Sequence, residues 1–334
     1  MNRVALALML TACAGLARSQ EIRGAGSTAA AKLIQEWAAA YRAASKSVVA
    51  YEDGGSGAGL LRLKAGEVPF AVSDVALSMP ELQSGGFAQF PVALGGIVPV
   101  VNVPGVAPGQ LRLNGELLAR LFGAKTAVWN APEIAALNPG VTLPALQARI
   151  AHRSDSSGST ALFTGYLSRV SAEWKSAVGS AMTVKWPAGS QACEGSDAMA
   201  DYVAKTPGAI GYVDFSRAQS RGLSAARLEN RSKTFVAPSK AGFQSAAAAF
   251  RRAPRRETGL RGDARLIVAG RTRSMGAPVQ GTRRKAAARG RLKSRGGVRE
   301  QGVRSNLHRT RPSRNRRTTM APLPLARQAR RSGS

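Results

Sequence analysis

Arg153, Asp155, Ser157, Gly158 and Ser159 fall within one short segment, HRSDSSGSTALFTGYL (152–167). Residues of these types at this spacing suit the capture of an anion. The Ser157–Thr160 turn reads as a helix start, because small hydroxyl side chains satisfy the orphan N–H groups of a first helical turn. Such a turn also presents N–H donors and the positive end of the helix dipole. Arg153 adds a fork of donors that stays charged at any physiological pH. Asp155 is the odd member, since a carboxylate beside an anion site repels what the site attracts.

The same arrangement recurs twice. GAGSTAAAKL (24–33) carries Thr28 and Ala29, and GGSGAGLLRL (54–63) carries Ser56. Each is a Gly/Ser turn that opens a helix, and in an open α/β sheet such turns sit at the carboxyl ends of strands, where ligands bind. Taken singly, each is an ordinary N-cap; taken together with Arg153, they point to a convergent anion site. Other chemistries lack their residues. There is no GxxxxGK[ST] phosphate loop, and the nucleophile pattern GxSxG fails at Ser56 in the run Gly54-Gly55-Ser56-Gly57-Ala58. Histidines number two, His152 and His308, too few with the cysteines for a His/Cys metal centre. A hydrolase using His152 as base for Ser157 or Ser159 is the enzymatic alternative.

The elements that must position these residues alternate short β-like runs with amphipathic helices, an α/β pattern. Strands are expected at 46–53, 68–74, 97–104, 148–155 and 208–214. A helix is expected over 27–44, with Leu33, Ile34, Trp37 and Tyr41 on one face. Ser78 to Glu81 has capping-box form, with Pro80 tolerated in the first turn. At 334 residues the chain has length for two domains. The N-terminus reads as an export signal over 1–19: Arg3, a short apolar core and a small-residue cleavage site before Gln20. LTAC (10–13) also has the form of a lipoprotein box with Cys13 as the lipidated residue, although the apolar run continues past it. With Cys13 removed, Cys193 is alone and no internal disulfide is possible.

From Gly24 to about Ala249 the chain resembles the PstS family, the phosphate-binding proteins of bacterial ABC-type phosphate importers. The stretches that carry the resemblance are GAGSTA, YEDGGSGAG, FAVSDVALS, FPVALGGIVPVVNVPG, LNPGVTLP, RSDSSGST, EWKSAVGSAMTVKWPAG and PGAIGYVDFS, in the family's order. The resemblance implies a two-domain periplasmic-binding-protein fold (type II-like) with a ligand cleft between the domains. The first domain would run over 20–93 and the second over 94–250. It implies inorganic phosphate as ligand, the importer's permease and ATPase subunits as partners, a monomer, no cofactor and no catalytic activity. The phosphate-binding residues it assigns are Thr28, Ala29, Ser56, Asp74, Arg153, Ser157, Gly158 and Ser159. Asp155 is implied as the partner that orients Arg153. Two positions depart from the family, which has Phe where Ala29 stands and Thr where Ser159 stands. Asp74 has a competing reading as a cap ahead of Ser78. As a ligand it makes sense only for an anion that brings its own proton, which phosphate does and sulfate at neutral pH does not.

The resemblance stops near Ala249, before the segment that in the family returns to the first domain, so that domain is expected to be incomplete. Residues 1–250 hold 23 Lys+Arg against 16 Asp+Glu, whereas 251–334 hold 25 against 3. Such a basic tail, poor in large apolar residues, is expected to be disordered. A shifted reading frame in a GC-rich gene, a basic tail binding nucleic acid and an extension without a role are the competing readings. The tail lacks interleaved aromatics for base stacking, and no nucleic-acid partner is expected.

Overall fold

A computed structural model describes residues 21–252 and 265–271. The expected signal segment, Cys13 and most of the basic tail lie outside the described residues. The chain builds two lobes, each an α/β layer around its own sheet. In the first, strands β1 (Glu21–Gly26), β2 (Val48–Glu52), β3 (Phe70–Ser73), β4 (Phe87–Leu94) and β13 (Arg265–Arg271) form one sheet in the order β2-β1-β3-β13-β4. β1 runs parallel to β2 and β3, and β13 runs antiparallel to both of its neighbours. Helices α1 (Ala31–Ser45), α2 (Ser56–Ala65) and α3 (Met79–Gly85) belong to this lobe.

β4 ends at Leu94 and β5 (Ile97–Val101) enters the second sheet, so Gly95 and Gly96 carry the chain across. That sheet has the order β10-β5-β9-β7-β8, with β7 (Arg149–Arg153), β8 (Gln191–Cys193), β9 (Ala209–Asp214) and β10 (Ser224–Ala225). Every residue of β9 is buried, as befits a strand paired on both edges. Helices α4 (Gly115–Phe122), α5 (Pro132–Leu137), α6 (Gly158–Val170), α7 (Ala172–Ala177), α8 (Gly195–Lys205), α9 (Phe215–Ser220) and α10 (Lys240–Arg252) follow in chain order. A small third sheet joins β6 (Arg112–Leu113), β11 (Arg227–Glu229) and β12 (Phe235–Val236).

Among the described residues, the two lobes differ in how much apolar surface they bury. The second has one continuous core built on Leu118, Phe122, Trp129, Phe163, Met199 and Tyr212. The first has two small clusters, around Leu63, Ala71 and Phe87 and around Ala30, Ile34 and Val72. The apolar face expected on α1 is only partly covered among the described residues: Ile34 is buried, but Trp37 and Tyr41 are 46% and 47% exposed.

Three local expectations need correction. The first helix starts at Ala31 rather than at residue 27, because Ser27–Ala30 is tied down as a turn. Ser27 N–H donates to Val72 O at 2.8 Å, and Ala30 N–H returns to Ser27 O at 3.1 Å. Strands β1 and β4, and the short β6, β8, β10, β11 and β12, are not among the expected ones. The third correction concerns the tail: residues 265–271, RLIVAGR, form a strand inside the first sheet rather than disordered chain. A short apolar run between charged ends is enough for a strand when two edges wait on either side, since the ladder satisfies its backbone groups.

Removing that strand exposes the facing edges of β3 and β4, and unpaired edges invite aggregation. A chain ended at residue 264 is expected to melt several degrees below the full chain and to form soluble oligomers on gel filtration. Equal melting temperature and an unchanged elution profile would show that β13 adds nothing.

Candidate functional site

The candidate site gathers where strands of both sheets end. From the first lobe come the β1–α1 turn with Thr28 and Ala29, Ser56 as first residue of α2, and Asp74 directly after β3. From the second come Arg153 at the end of β7, the Ser157–Ser159 start of α6 and the Gly195–Ser196 start of α8. Each follows the carboxyl end of a strand because the parallel strands β1, β2 and β3, and β7, β8 and β9, point their ends toward the cleft.

Arg153 is the charged centre, with its side chain only 2% exposed. Its Nε donates to Asp155 Oδ1 at 2.6 Å and its Nη2 to Asp155 Oδ2, a bidentate fork. Nη1 donates to Ser196 Oγ at 2.8 Å. Asp155 Oδ1 also accepts the Gly195 N–H at 3.0 Å, so the start of α8 fixes the carboxylate that fixes the guanidinium. Behind the site, the Arg153 N–H donates to the Tyr212 hydroxyl at 3.2 Å, and that hydroxyl pairs with Thr160 Oγ1 at 2.7 Å.

Asp74 is buried and faces donors from both lobes. Ser27 Oγ donates to its Oδ1 at 2.8 Å, and Ser159 Oγ donates across the cleft to its Oδ2 at 3.2 Å. Its own N–H donates to Ser56 Oγ at 3.2 Å. Asp74 therefore does not cap the helix at Ser78, whose capping box is completed by Glu81 instead. Burial raises the Asp74 carboxyl above the ordinary carboxylate range; the Ser27 and Ser159 hydrogen bonds and the Arg153 charge work against that rise, and Asp214 adds to it.

The lobes touch closely here. Gly57 N–H of α2 donates to Ser156 O at 2.9 Å. Gly158 opens α6 so near the other lobe that a Cβ on it would come within 2.5 Å of Ser56 Oγ and 2.7 Å of Asp74 Oδ2. Ser157 caps α6, its hydroxyl accepting the Thr160 N–H at 3.3 Å. Thr28 Oγ1 and Ser196 Oγ share a 2.7 Å hydrogen bond, which links Thr28 to Arg153. Ala29 follows Thr28 and donates its N–H to Ser27 Oγ at 3.2 Å.

The structure thus brings Thr28, Ala29, Ser56, Asp74, Arg153, Asp155, Ser157, Gly158 and Ser159 to one cleft. Sequence reasoning missed Ser27, Ser196 and Arg217, whose Nη2 donates to Thr28 O at 3.0 Å. Ser196 was findable, since CEGSDAMADY (193–202) repeats the Gly/Ser turn opening a helix. The hydrolase alternative loses its constellation. His152 stacks on Trp186 with ring centroids 5.2 Å apart and leaves Nδ1 buried without a partner, while Ser157 and Ser159 bond to Thr160 and Asp74. Cys193 is a free, buried thiol whose pKa burial pushes up.

Two α/β lobes with a polar cleft at their strand ends define the architecture of a two-domain binding protein. A family model for the PBP superfamily domain matches residues 12–256. The phosphate-binding protein PstS of Xylella fastidiosa is 43% identical over 230 residues, which are 69% of this chain and 63% of that protein. PstS of Pasteurella multocida is 41% identical over 243 residues, 73% of this chain and 70% of that protein. Among solved structures, an ABC-type phosphate transport receptor from Vibrio cholerae aligns at a TM-score of 0.51 and 18% identity, over 75% of this chain and 87% of that one. The structural likeness bears on the fold alone. The chain belongs to the PBP superfamily and, within it, to the PstS family. It spans 63% of the length of the Xylella relatives it matches.

The raised Asp74 pKa has a stability consequence with a definite sign. A carboxyl that is harder to ionise in the folded chain than in the unfolded one costs nothing below its unfolded value of about 4. The cost grows as pH rises through that value and is complete above the raised folded one. Asp74→Asn is therefore expected to melt above the parent at neutral pH, with the difference closing as pH falls toward about 4. A melting difference that stays constant across that window would contradict the burial account.

Proposed function

We propose that this protein captures inorganic phosphate outside the cytoplasm and delivers it to the membrane permease and ATPase subunits of an ABC-type importer. The observation that carries the reading is the pairing of opposites in one cleft. A buried Arg153 paired with Asp155 stands in the same cleft as hydroxyl donors that bond a buried carboxylate, Asp74. Donors alone suit any oxyanion. A carboxylate acceptor among them favours one that carries a proton on an oxygen, as HPO₄²⁻ and H₂PO₄⁻ do. A fully deprotonated sulfate would meet Asp74 with charge repulsion and an unmatched acceptor.

In this reading Arg153 supplies the charge-assisted bonds, held in place by Asp155. Thr28, Ser56, Ser157 and Ser159 supply hydroxyls, and the N–H groups of Ala29 and Gly158 come from turns that open helices, where the dipole favours an anion. The hydroxyls of Thr28 and Ser159 turn on Ser196 and Asp74 in the structure, and rotation about one bond redirects each to a ligand oxygen. The family relationship supports the same ligand and the same importer as partners. It also supports an extracytoplasmic location, reached through the export signal at 1–19 with lipidation at Cys13 as a variant.

Isothermal titration of two variants tests the roles. Arg153→Ala is expected to weaken phosphate binding by about 100-fold or more, as truncation of a buried charged partner does. Asp74→Asn is expected to narrow the phosphate-over-sulfate preference by about tenfold or more, with a smaller loss for phosphate itself. Parental affinity in Arg153→Ala would put the anion elsewhere, and unchanged discrimination in Asp74→Asn would remove Asp74 from the selection step.

A further inference from the structure

The second lobe holds Thr28 from two sides. Ser196 Oγ meets the Thr28 hydroxyl at 2.7 Å, and Arg217 Nη2 donates to the Thr28 carbonyl at 3.0 Å. Both residues stand far from Thr28 in the chain, on α8 and α9, and both cross the cleft to reach it. Arg217 is itself firmly held. Its Nε donates to Asp214 Oδ2 at 3.2 Å, its backbone N–H donates to Asp214 Oδ1 at 2.9 Å, and its Nη1 pairs with Asp197. Its side chain is 12% exposed, so this is a fixed guanidinium rather than a surface one.

We infer that Arg217, with Ser196, is a latch between the lobes that positions the Thr28–Ala29 peptide and slows release of the bound anion. The inference rests on the phosphate-binding reading of the cleft. A peptide unit is planar and trans, so the Thr28 carbonyl and the Ala29 N–H point in opposite directions along one rigid plate. Fixing the carbonyl therefore also fixes the direction of the Ala29 N–H, which donates to Ser27 Oγ at 3.2 Å, the hydroxyl that in turn bonds Asp74. A charged donor on that carbonyl also makes the hydrogen bond stronger than a neutral one. Because the latch joins the lobes directly, it must break when the cleft opens, so its strength enters the dissociation step more than the encounter step. Asp214 and Asp197 offset the Arg217 charge, and no contact among the described residues places Arg217 among the donors of the cleft other than at the Thr28 carbonyl.

The test compares Arg217→Met, which removes every donor, with Arg217→Lys, which restores a single charged donor, and with Ser196→Ala. Release of radiolabelled inorganic phosphate from the full chain is expected to be about tenfold faster in Arg217→Met, with association changed less than about threefold. Arg217→Lys is expected to recover part of the loss, and Ser196→Ala to show a smaller acceleration. Amide hydrogen exchange at Ala29 without ligand is read in the same proteins and is expected to be about tenfold faster in Arg217→Met. Association and release changed by equal factors, or no recovery in Arg217→Lys at an unchanged melting temperature, would overturn the latch, and a loss that only tracks a lowered melting temperature would assign Arg217 to folding alone. Parental exchange at Ala29 would overturn it whether or not phosphate binds. A parent chain that holds no phosphate but shows accelerated Ala29 exchange in Arg217→Met would overturn the phosphate reading while leaving the latch between the lobes standing.

Discussion

Everything in the cleft depends on how a guanidinium can be kept out of water. Burying an isolated charge costs many kcal/mol, and a protein meets that cost by pairing it. Arg153 is paired by the fork to Asp155, and Asp155 is held in turn by the start of α8. The pair is close to neutral, yet it does not use the whole guanidinium: Nη1 turns to Ser196 and through it to Thr28 of the other lobe. Asp155 thus answers the question its position raises. It repels no ligand, because its charge is already committed to Arg153.

Asp74 is the complementary problem. It is a second carboxylate in the same buried space, raised above the ordinary range by burial and only partly relieved by Ser27, Ser159 and Arg153. A fold that only needed stability would place an asparagine or a hydrophobic residue there. A carboxylate there makes sense when the cleft must tell a protonated oxyanion from an unprotonated one, since the penalty for the wrong ligand is an unpaired acceptor facing like charge. In the proposed reading, Arg153 binds the anion and Asp74 selects the one that carries a proton.

The sequence made the cleft legible because its parts are local. A Gly/Ser turn before a helix announces itself within a few residues, and the resemblance to PstS joined three such turns to Asp74. β1 was illegible for a physical reason. Its sequence, EIRGAG, lacks alternation because the neighbouring strand presses on it: a Cβ at Gly26, where φ is +138°, would lie 2.0 Å from Val72 O. Arg217 was illegible for another reason. Its partner lies on the opposite lobe, and nothing near DFSRAQS marks an arginine as anything but a surface charge. The basic tail carried a third lesson, since composition pointed to disorder while RLIVAGR found two strand edges to pair with. Composition describes a segment alone; a sheet edge changes what that segment can do.

The most direct measurement of the central claim is a calorimetric titration of the full chain with inorganic phosphate, repeated in the presence of sulfate at about 100-fold excess, where a preference of only about 100-fold, nearly 3 kcal/mol, would leave half the occupied sites to sulfate. The account predicts saturable binding of one phosphate per chain, left nearly unchanged by the sulfate. Sulfate displacing phosphate at comparable concentration, or no phosphate binding at all, would contradict it.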